Sequence, residues 1–474
     1  MEHGRVPDTV NHFDTVALPS EMPIGSLVHL QNSTTYGVIK ITNIPYSITK
    51  SEIHQFIGRD APLVSPIKGC AVHIIMERPT AKTMDCYVEF ETKEAAKVIQ
   101  TRLTAMVEQG HRRLGSRHVD VELSSEDELL KDLFPRAKCV EWKDGKPHLV
   151  ENTDPFSTGF TGFFTNEEIV NAIRHAENPQ RSPFCNKCPQ RTYESTISTL
   201  YKFPWHETHM YTVGDRNLLF ELTSRQIKTL ASRVKNSKTV GLDQRLLRDL
   251  LHAGLRCPSF NERMKYTLCF YSEDIREITR FSEAGKWFPF DTLVRMPGFN
   301  EATMMHYAKL ITKGSTVEEH ANAELPNSFP PTINLQSPYG RIWYEWSLEV
   351  SKYKSWESAV QREMVILCNL VLAGWIQAQR ERNPALANGD DEALGAISST
   401  TASAGSAPGP VGLPTINVTQ ANNGVPVNPY FLPEFTQLGG NTHANNYNGP
   451  QVNAGHGNAV VNPGFPFAPA GFGL

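Results

Sequence analysis

Two pairs of potential metal ligands lie within a short span of this 474-residue chain: Cys185 and Cys188, then His206 and His209. Two thiolates and two imidazoles suit tetrahedral zinc, and a C-x2-C pair is the usual first half of such a site. The interval to the histidines is longer than in a common zinc finger, their own spacing is tighter, and Cys257 and Cys269 compete as ligands. Coincidence of spacing is the rival reading. The sequence has no phosphate-binding glycine loop, no G-x-S-x-G, no H-E-x-x-H and no motif pairing a nucleophile with its base. The chain therefore reads as a non-enzyme.

A second set of chemically useful residues falls between Tyr36 and Leu123. In Thr83-Met84-Asp85-Cys86-Tyr87-Val88-Glu89-Phe90, aromatic residues stand at strand positions, while Tyr46, Arg78, Lys82, Arg112, Arg113 and Arg117 fall in polar connecting segments. The elements that must position them are legible. Val38-Ile39-Lys40-Ile41 is a short β-prone run. Thr49-Lys50-Ser51-Glu52 is a capping box, with Ile53, Phe56 and Ile57 at helical spacing behind it. Strands are predicted at Ala71–Met76 and Cys86–Phe90, joined through the polar loop Glu77–Lys82. Thr92 can cap a helix whose one face carries Ala95, Ile99, Leu103 and Met106, and Val119–Leu123 alternates as a last strand. The order β-α-β-β-α-β over residues 36–123 is the ferredoxin-like split arrangement.

On these residues the stretch resembles an RNA recognition motif. It is most similar to the quasi-RRMs of the heterogeneous nuclear ribonucleoprotein F/H family and the epithelial splicing regulatory (Fusilli) proteins. Asn43-Ile44-Pro45-Tyr46-Ser47 matches a Gly-Leu-Pro-Trp-Ser type turn, Arg78 falls in the second hairpin, and Asp85–Phe90 matches an acidic-small-aromatic-Val-Glu strand. Gly115-Ser116-Arg117-His118-Val119-Asp120-Val121 matches a Gly-His-Arg-Tyr-Val-Glu-Val ending. Departures are Met84 and Asp85 in the strand signature and Lys40 where the first strand usually carries an aromatic. The resemblance implies single-stranded RNA as partner, with Tyr87 as a base platform on the sheet. It also implies loop contacts, often to guanine-rich strands, at Tyr46, Arg78 and Arg117. Lys82, Arg112 and Arg113 lie in the same loops and could neutralise phosphate, and Lys40, Asn43 and Phe90 complete the candidate RNA-binding set. The implied role is that of a ribonucleoprotein component in mRNA processing or splicing regulation, in the nucleus with a cytoplasmic pool allowed. The alternative is a protein-interaction module, because RNA-recognition folds that lose their stacking aromatics bind peptides instead.

The rest of the chain sets limits. Residues 1–35 read as an extended arm, and 124–164 as a linker with an acidic helix start at Glu126, Asp127 and Glu128. Thr165-Asn166-Glu167-Glu168, another capping box, opens a mostly helical region over 165–382, with helical periods at Ser224–Val234, Asp243–Leu251, Ser272–Phe281 and Glu357–Ile376. Trp287, Trp343, Trp346, Trp356 and Trp375 predict a sizeable core there, and the region is a candidate surface for protein partners. Residues 383–474 turn to Ala, Gly, Ser, Pro, Asn and Val with no Lys or Arg, a composition that predicts a disordered tail. The fold class expected is thus α+β: one ferredoxin-like domain, a helical region and a tail.

The formal charge of −4 excludes a chain that binds polyanions over its whole surface. Residues 36–123 carry 12 Lys/Arg against 10 Asp/Glu, whereas residues 174–265 carry 16 against 8. The second block, with Arg225, Lys228, Arg233, Lys235 and Lys238, predicts a basic surface beside the motif, its rival being ordinary solvated helix faces. Eight scattered cysteines and a start without a signal-peptide pattern suit a reducing compartment. The longest apolar run, Met364–Ile376, is interrupted by Asn369 and reads as a buried helix rather than a bilayer span, so no membrane partner is expected.

Overall fold

The computed structural model describes residues 22–30, 36–108, 113–236, 239–317, 337–340 and 342–382. The first strand among the described residues, β1 (Ile24–Gly25), pairs antiparallel with β8 (Val294–Arg295), which stitches it to the helical region. Most of the predicted arm and the whole predicted tail lie outside the described residues.

The split arrangement expected over 36–123 is present. Its strands are β2 (Gly37–Thr42), β3 (Val72–Glu77), β4 (Lys82–Phe90) and β5 (Asp120–Ser124), in the antiparallel order β3-β4-β2-β5. Helices α1 (Lys50–Ile57) and α2 (Lys93–Glu108) cross one face. Alternation along the strands does the sorting. Ile39, Ile41, Val72, Ile74, Cys86, Val88 and Phe90 point to that face and close a core with Ile53, Phe56, Ile57, Ile99 and Leu103. The capping box at Thr49 is formed, and Thr92 Oγ1 accepts the Ala95 amide at 3.1 Å.

The stretch 124–164 is more than the linker expected of it. Ser125 caps α3 (Glu126–Leu133), and β6 (Val140–Lys143) and β7 (Lys146–Leu149) form a hairpin. Asp144 and Gly145 turn it with φ of 52° and 74°, and the Asp127 carboxylate accepts both of their amides at 3.2 and 2.7 Å. Phe134, Trp142, Phe163 and Phe203 gather at ring separations of 5.2–6.0 Å, which welds this stretch to the helices that follow.

Beyond it lie α4 (Asn166–Glu177), α5 (Pro183–Lys187), α6 (Arg191–Lys202), α7 (Val213–Asn236), α8 (Gln244–Arg256) and α9 (Glu262–Ser272). Short helices α10 (Ile275–Ile278) and α11 (Glu283–Lys286) precede α12 (Glu301–Val317), α13 (Leu348–Ser351) and α14 (Trp356–Arg382). The Thr165 capping box opens α4 as predicted. The helix expected over 272–281 is reduced to α10, because Glu273 takes φ 56° and stops α9. Asp291 and Glu363 anchor the interior: Arg216 and Arg263 pair with Asp291 at 2.9 and 3.2 Å, and Glu363 accepts the Asp291 and Thr292 amides and the Trp346 indole N–H. By length and composition α14 is apolar enough to cross a membrane, yet half of its most apolar window is buried inside the protein.

Gly37 marks the closest approach between sheet and helix. A Cβ there would meet the Thr92 carbonyl at 2.2 Å and the Ala96 methyl at 2.7 Å. Gly37→Ala is therefore expected to destabilise the protein by about 1–3 kcal/mol. A urea midpoint equal to that of the unsubstituted protein would contradict this packing.

Candidate nucleic-acid interface

In an RNA recognition motif the face of the sheet opposite the two helices carries the stacked bases. Here the chain covers that face with itself. Helix α6 lies against β3, and α3 closes the side towards β2 and β4. Tyr87, expected as the base platform, has no exposed surface. Its hydroxyl donates to Asp132 of α3, and Lys40 binds the same carboxylate at 3.0 Å, Asp85 at 3.3 Å and lies 5.2 Å from the Tyr87 ring centre. Burial, followed by the bond to Asp132, raises the Tyr87 phenol above its ordinary value. Lys40 and Tyr87 are thus engaged within the chain. Phe90 points to the opposite side, into the core, and is fully buried.

The rest of this covered face is polar. His73 bridges Ser198 of α6 at 3.0 Å and Glu89 at 2.9 Å. Burial, reinforced by Lys202, pushes the His73 imidazole well below its usual range, so the ring is neutral. Lys202 joins Glu89 at 2.5 Å to Glu126 at 2.8 Å. Arg78 was expected at an RNA contact. Only 4% exposed, it reaches Glu168 at 3.4 Å, the Leu133 carbonyl at 2.9 Å and the Thr199 hydroxyl at 3.1 Å. It is a seam residue, and its donors face protein.

The loop edge is different. Asn43 takes φ 57° and donates to the His118 carbonyl at 2.8 Å, tying the first strand-helix loop to the loop before β5. Arg117 donates to the Ile44 carbonyl at 3.1 Å and stands 5.2 Å from the ring centre of Tyr46. Thr83 donates to the Tyr46 carbonyl at 2.9 Å and in turn accepts from Arg191 of α6 at 3.0 Å. Tyr46 itself is 40% exposed, and its ring meets Phe184 of α5 edge-on at 5.5 Å. Arg113 is exposed at the foot of the same loop, Lys82 is half-buried where β4 begins, and Arg112 lies outside the described residues. Of the ten predicted RNA contacts, Asn43, Tyr46, Arg113 and Arg117 are thus brought to one loop edge, while Lys40, Arg78, Tyr87 and Phe90 are turned inward.

Phe184, Arg191 and Asp132 carry this arrangement, and the sequence reading did not single them out. Ser182-Pro183 is a helix start signal that could have located α5, since Ser182 caps it and proline occupies its first turn. Arg191 had no such signal.

The four proposed zinc ligands do not converge. Cys185 donates to the His175 carbonyl at 3.3 Å, Cys188 sits 3.5 Å from the Arg191 guanidinium, and His206 and His209 flank Glu207 at 3.4 and 3.8 Å. Burial pushes the Cys185 thiol up to about 11 and raises Cys188 as well, against the thiolate that zinc needs. Among the described residues no group of three or more His, Cys, Asp or Glu could hold a metal ion. The basic block is only partly consumed, with Arg174, Arg181, Lys187, Arg245 and Arg248 exposed. Arg191 and Arg216 are buried, Arg225 pairs with Glu177 at 2.6 Å, Lys235 with Glu273, and Arg233 donates to the Glu177 carbonyl at 2.8 Å. Lys228 lies over the Tyr271 ring, and Lys238 is outside the described residues.

Two family models match the chain, each described as a domain of unknown function: DUF8400 over residues 35–144 and DUF8399 over residues 160–274. No curated protein matches it. A solved structure described as the crystal structure of the Glorund qRRM2 domain is similar, at 19% identity over 21% of this chain and 99% of that one, with a TM-score of 0.17.

The seam makes two measurable demands. Arg78→Ala leaves Glu168 buried without its cation and should destabilise the protein by about 3–5 kcal/mol; an unshifted thermal midpoint would show that the seam does not rely on it. Burial, added to by Glu89 and opposed by Lys202, pushes the Glu126 carboxyl up to about 7 from a model-compound value of 4.5. The folded state therefore holds a proton on Glu126 that the unfolded chain releases, so the contribution of Glu126 to stability falls as pH rises from about 4.5 through 7. Glu126→Gln, which cannot titrate, should flatten that slope in denaturant midpoints measured from pH 4.5 to 8. An unchanged slope would contradict the assignment.

Proposed function

We propose that this protein binds single-stranded RNA through the loop edge around Tyr46, and not through its sheet. The observation that carries the reading is Tyr46 itself. The ring is 40% exposed, is flanked by the Arg117 guanidinium, and sits on a loop whose backbone is fixed by Thr83 and Arg117. An exposed aromatic held rigid beside an arginine offers a base a stacking surface with little ordering still to be lost on binding. One such stack is worth about 1–3 kcal/mol. With Arg113 the exposed cation of the loop set among the described residues, phosphate contacts are few and the dependence on salt should be shallow. Action in mRNA processing, with a nuclear location, belongs to the same proposal.

A protein-interaction module is the second reading, and one observation favours it. The face of the sheet that RNA recognition motifs offer to RNA is here occupied by protein, namely α3 and α6 of the same chain. The two readings separate on the loop edge. Tyr46→Ala and Arg117→Ala should each weaken binding of labelled single-stranded RNA about tenfold in fluorescence anisotropy, with folding intact. Tyr87→Ala should act on stability instead. Crosslinking of the intact protein in cells should recover nuclear pre-mRNA; failure of the pure protein to bind RNA at all would leave the interaction module as the better account.

A further inference from the structure

We infer that the RNA site is composite: Phe184, supplied by the helical region, extends the aromatic surface that Tyr46 exposes. The inference rests on the RNA-binding reading of Tyr46 and goes beyond it, because it places a base-contacting residue well outside the split β-α-β-β-α-β domain.

Three observations converge. The first is the ring geometry. Phe184 lies 5.5 Å from Tyr46 with an angle of 68° between the planes, while Arg117 stands 5.2 Å from the Tyr46 ring centre. The two rings are in direct edge-to-face contact, a preferred geometry for π-systems, so a base laid on the exposed part of Tyr46 abuts Phe184 as well. The second is that the core clusters do not include these two rings. Helix α5 is docked by other groups: Ser182 donates to the Thr80 carbonyl at 2.5 Å, and Cys185 packs with Met76 and Ala81 in a small buried cluster. Phe184 stays half-buried beside an exposed Tyr46, so neither ring is fully used by packing. The third is positioning. Arg191, four residues past the end of α5, binds the Ile48 carbonyl and the Thr83 hydroxyl that holds the Tyr46 carbonyl. One short stretch of the helical region thus both supplies one ring and fixes the loop bearing the other. Lys187, exposed and one turn along α5 from Phe184, lies on the same side of the helix and is placed for a neighbouring phosphate.

The experiment compares full-length variants on a fluorescein-labelled, mixed-sequence single-stranded RNA of about 12 nucleotides, within the span such sites cover. Phe184→Ala is expected to weaken binding about tenfold. Phe184→Leu, which keeps an apolar side chain in place but has no π-system, should stay weak while its circular dichroism and thermal midpoint match the unsubstituted protein. Phe184→Trp should restore affinity. Affinity unchanged in Phe184→Ala, or retained by leucine, overturns the composite surface; if Tyr46→Ala is weak in the same assay, the RNA-binding reading survives that result. Absence of RNA binding by the unsubstituted protein overturns both.

Discussion

Arg191 has no exposed surface, and a guanidinium taken out of water must find its partners inside the protein or destabilise the fold by several kcal/mol. It finds them on both sides of the seam: the Glu194 carboxylate and Cys188 sulfur on its own side, the Thr83 hydroxyl and Ile48 carbonyl on the other. The sheet domain and the helical region are therefore joined at a point where neither can relax without stranding a charge. Around that point His73, Arg78, Glu89 and Lys202 repeat the same logic, each buried or nearly so and each matched across the seam.

This constraint explains the redistribution of the sheet's chemistry. Tyr87 and Lys40 occupy positions where an RNA-binding sheet would present its working side chains, but Asp132 of α3 satisfies both. What the seam leaves uncovered is the loop edge, and there the strand-helix loop, the loop before β5 and α5 meet. The same contacts that close the sheet also hold Tyr46 in place. Closure and presentation are consequences of one packing arrangement.

The fold was legible where a local rule dominates. Capping boxes at Thr49 and Thr165, strand alternation around Val88 and the helical face of Ile99 and Leu103 each formed as read. The hairpin of 140–149 was missed although Asp144-Gly145 is a strong turn signal and Val140-Glu141-Trp142-Lys143 alternates, because each strand is only four residues long and Pro147 interrupts the second. Helix α6 was missed for a deeper reason. Arg191–Leu200 is buried on every side, between β3, α4, α7 and α8, and although Tyr193, Ile197, Leu200 and Tyr201 fall at helical spacing, the Ser and Thr residues among them favour other conformations. The inward turn of Arg78 and Tyr87 could not be read at all, since it is decided by residues more than 40 positions away. Charge counting overstates the surface for the same reason: the net of +8 over 174–265 includes Arg191, Arg216 and Arg263, which are buried.

The polar seam bears on how such a chain can be inherited and recombined. Two apolar surfaces tolerate many substitutions, since one methyl group replaces another with small loss. A seam of His73 against Ser198 and Arg78 against Thr199 and Glu168 does not, because each hydroxyl or carboxylate answers one donor at a fixed place. The segments matched by the two family models would have to change in concert, and grafting either onto a foreign partner would bury unmatched charge. In this protein the boundary between the two matched segments is not a boundary between two exchangeable parts.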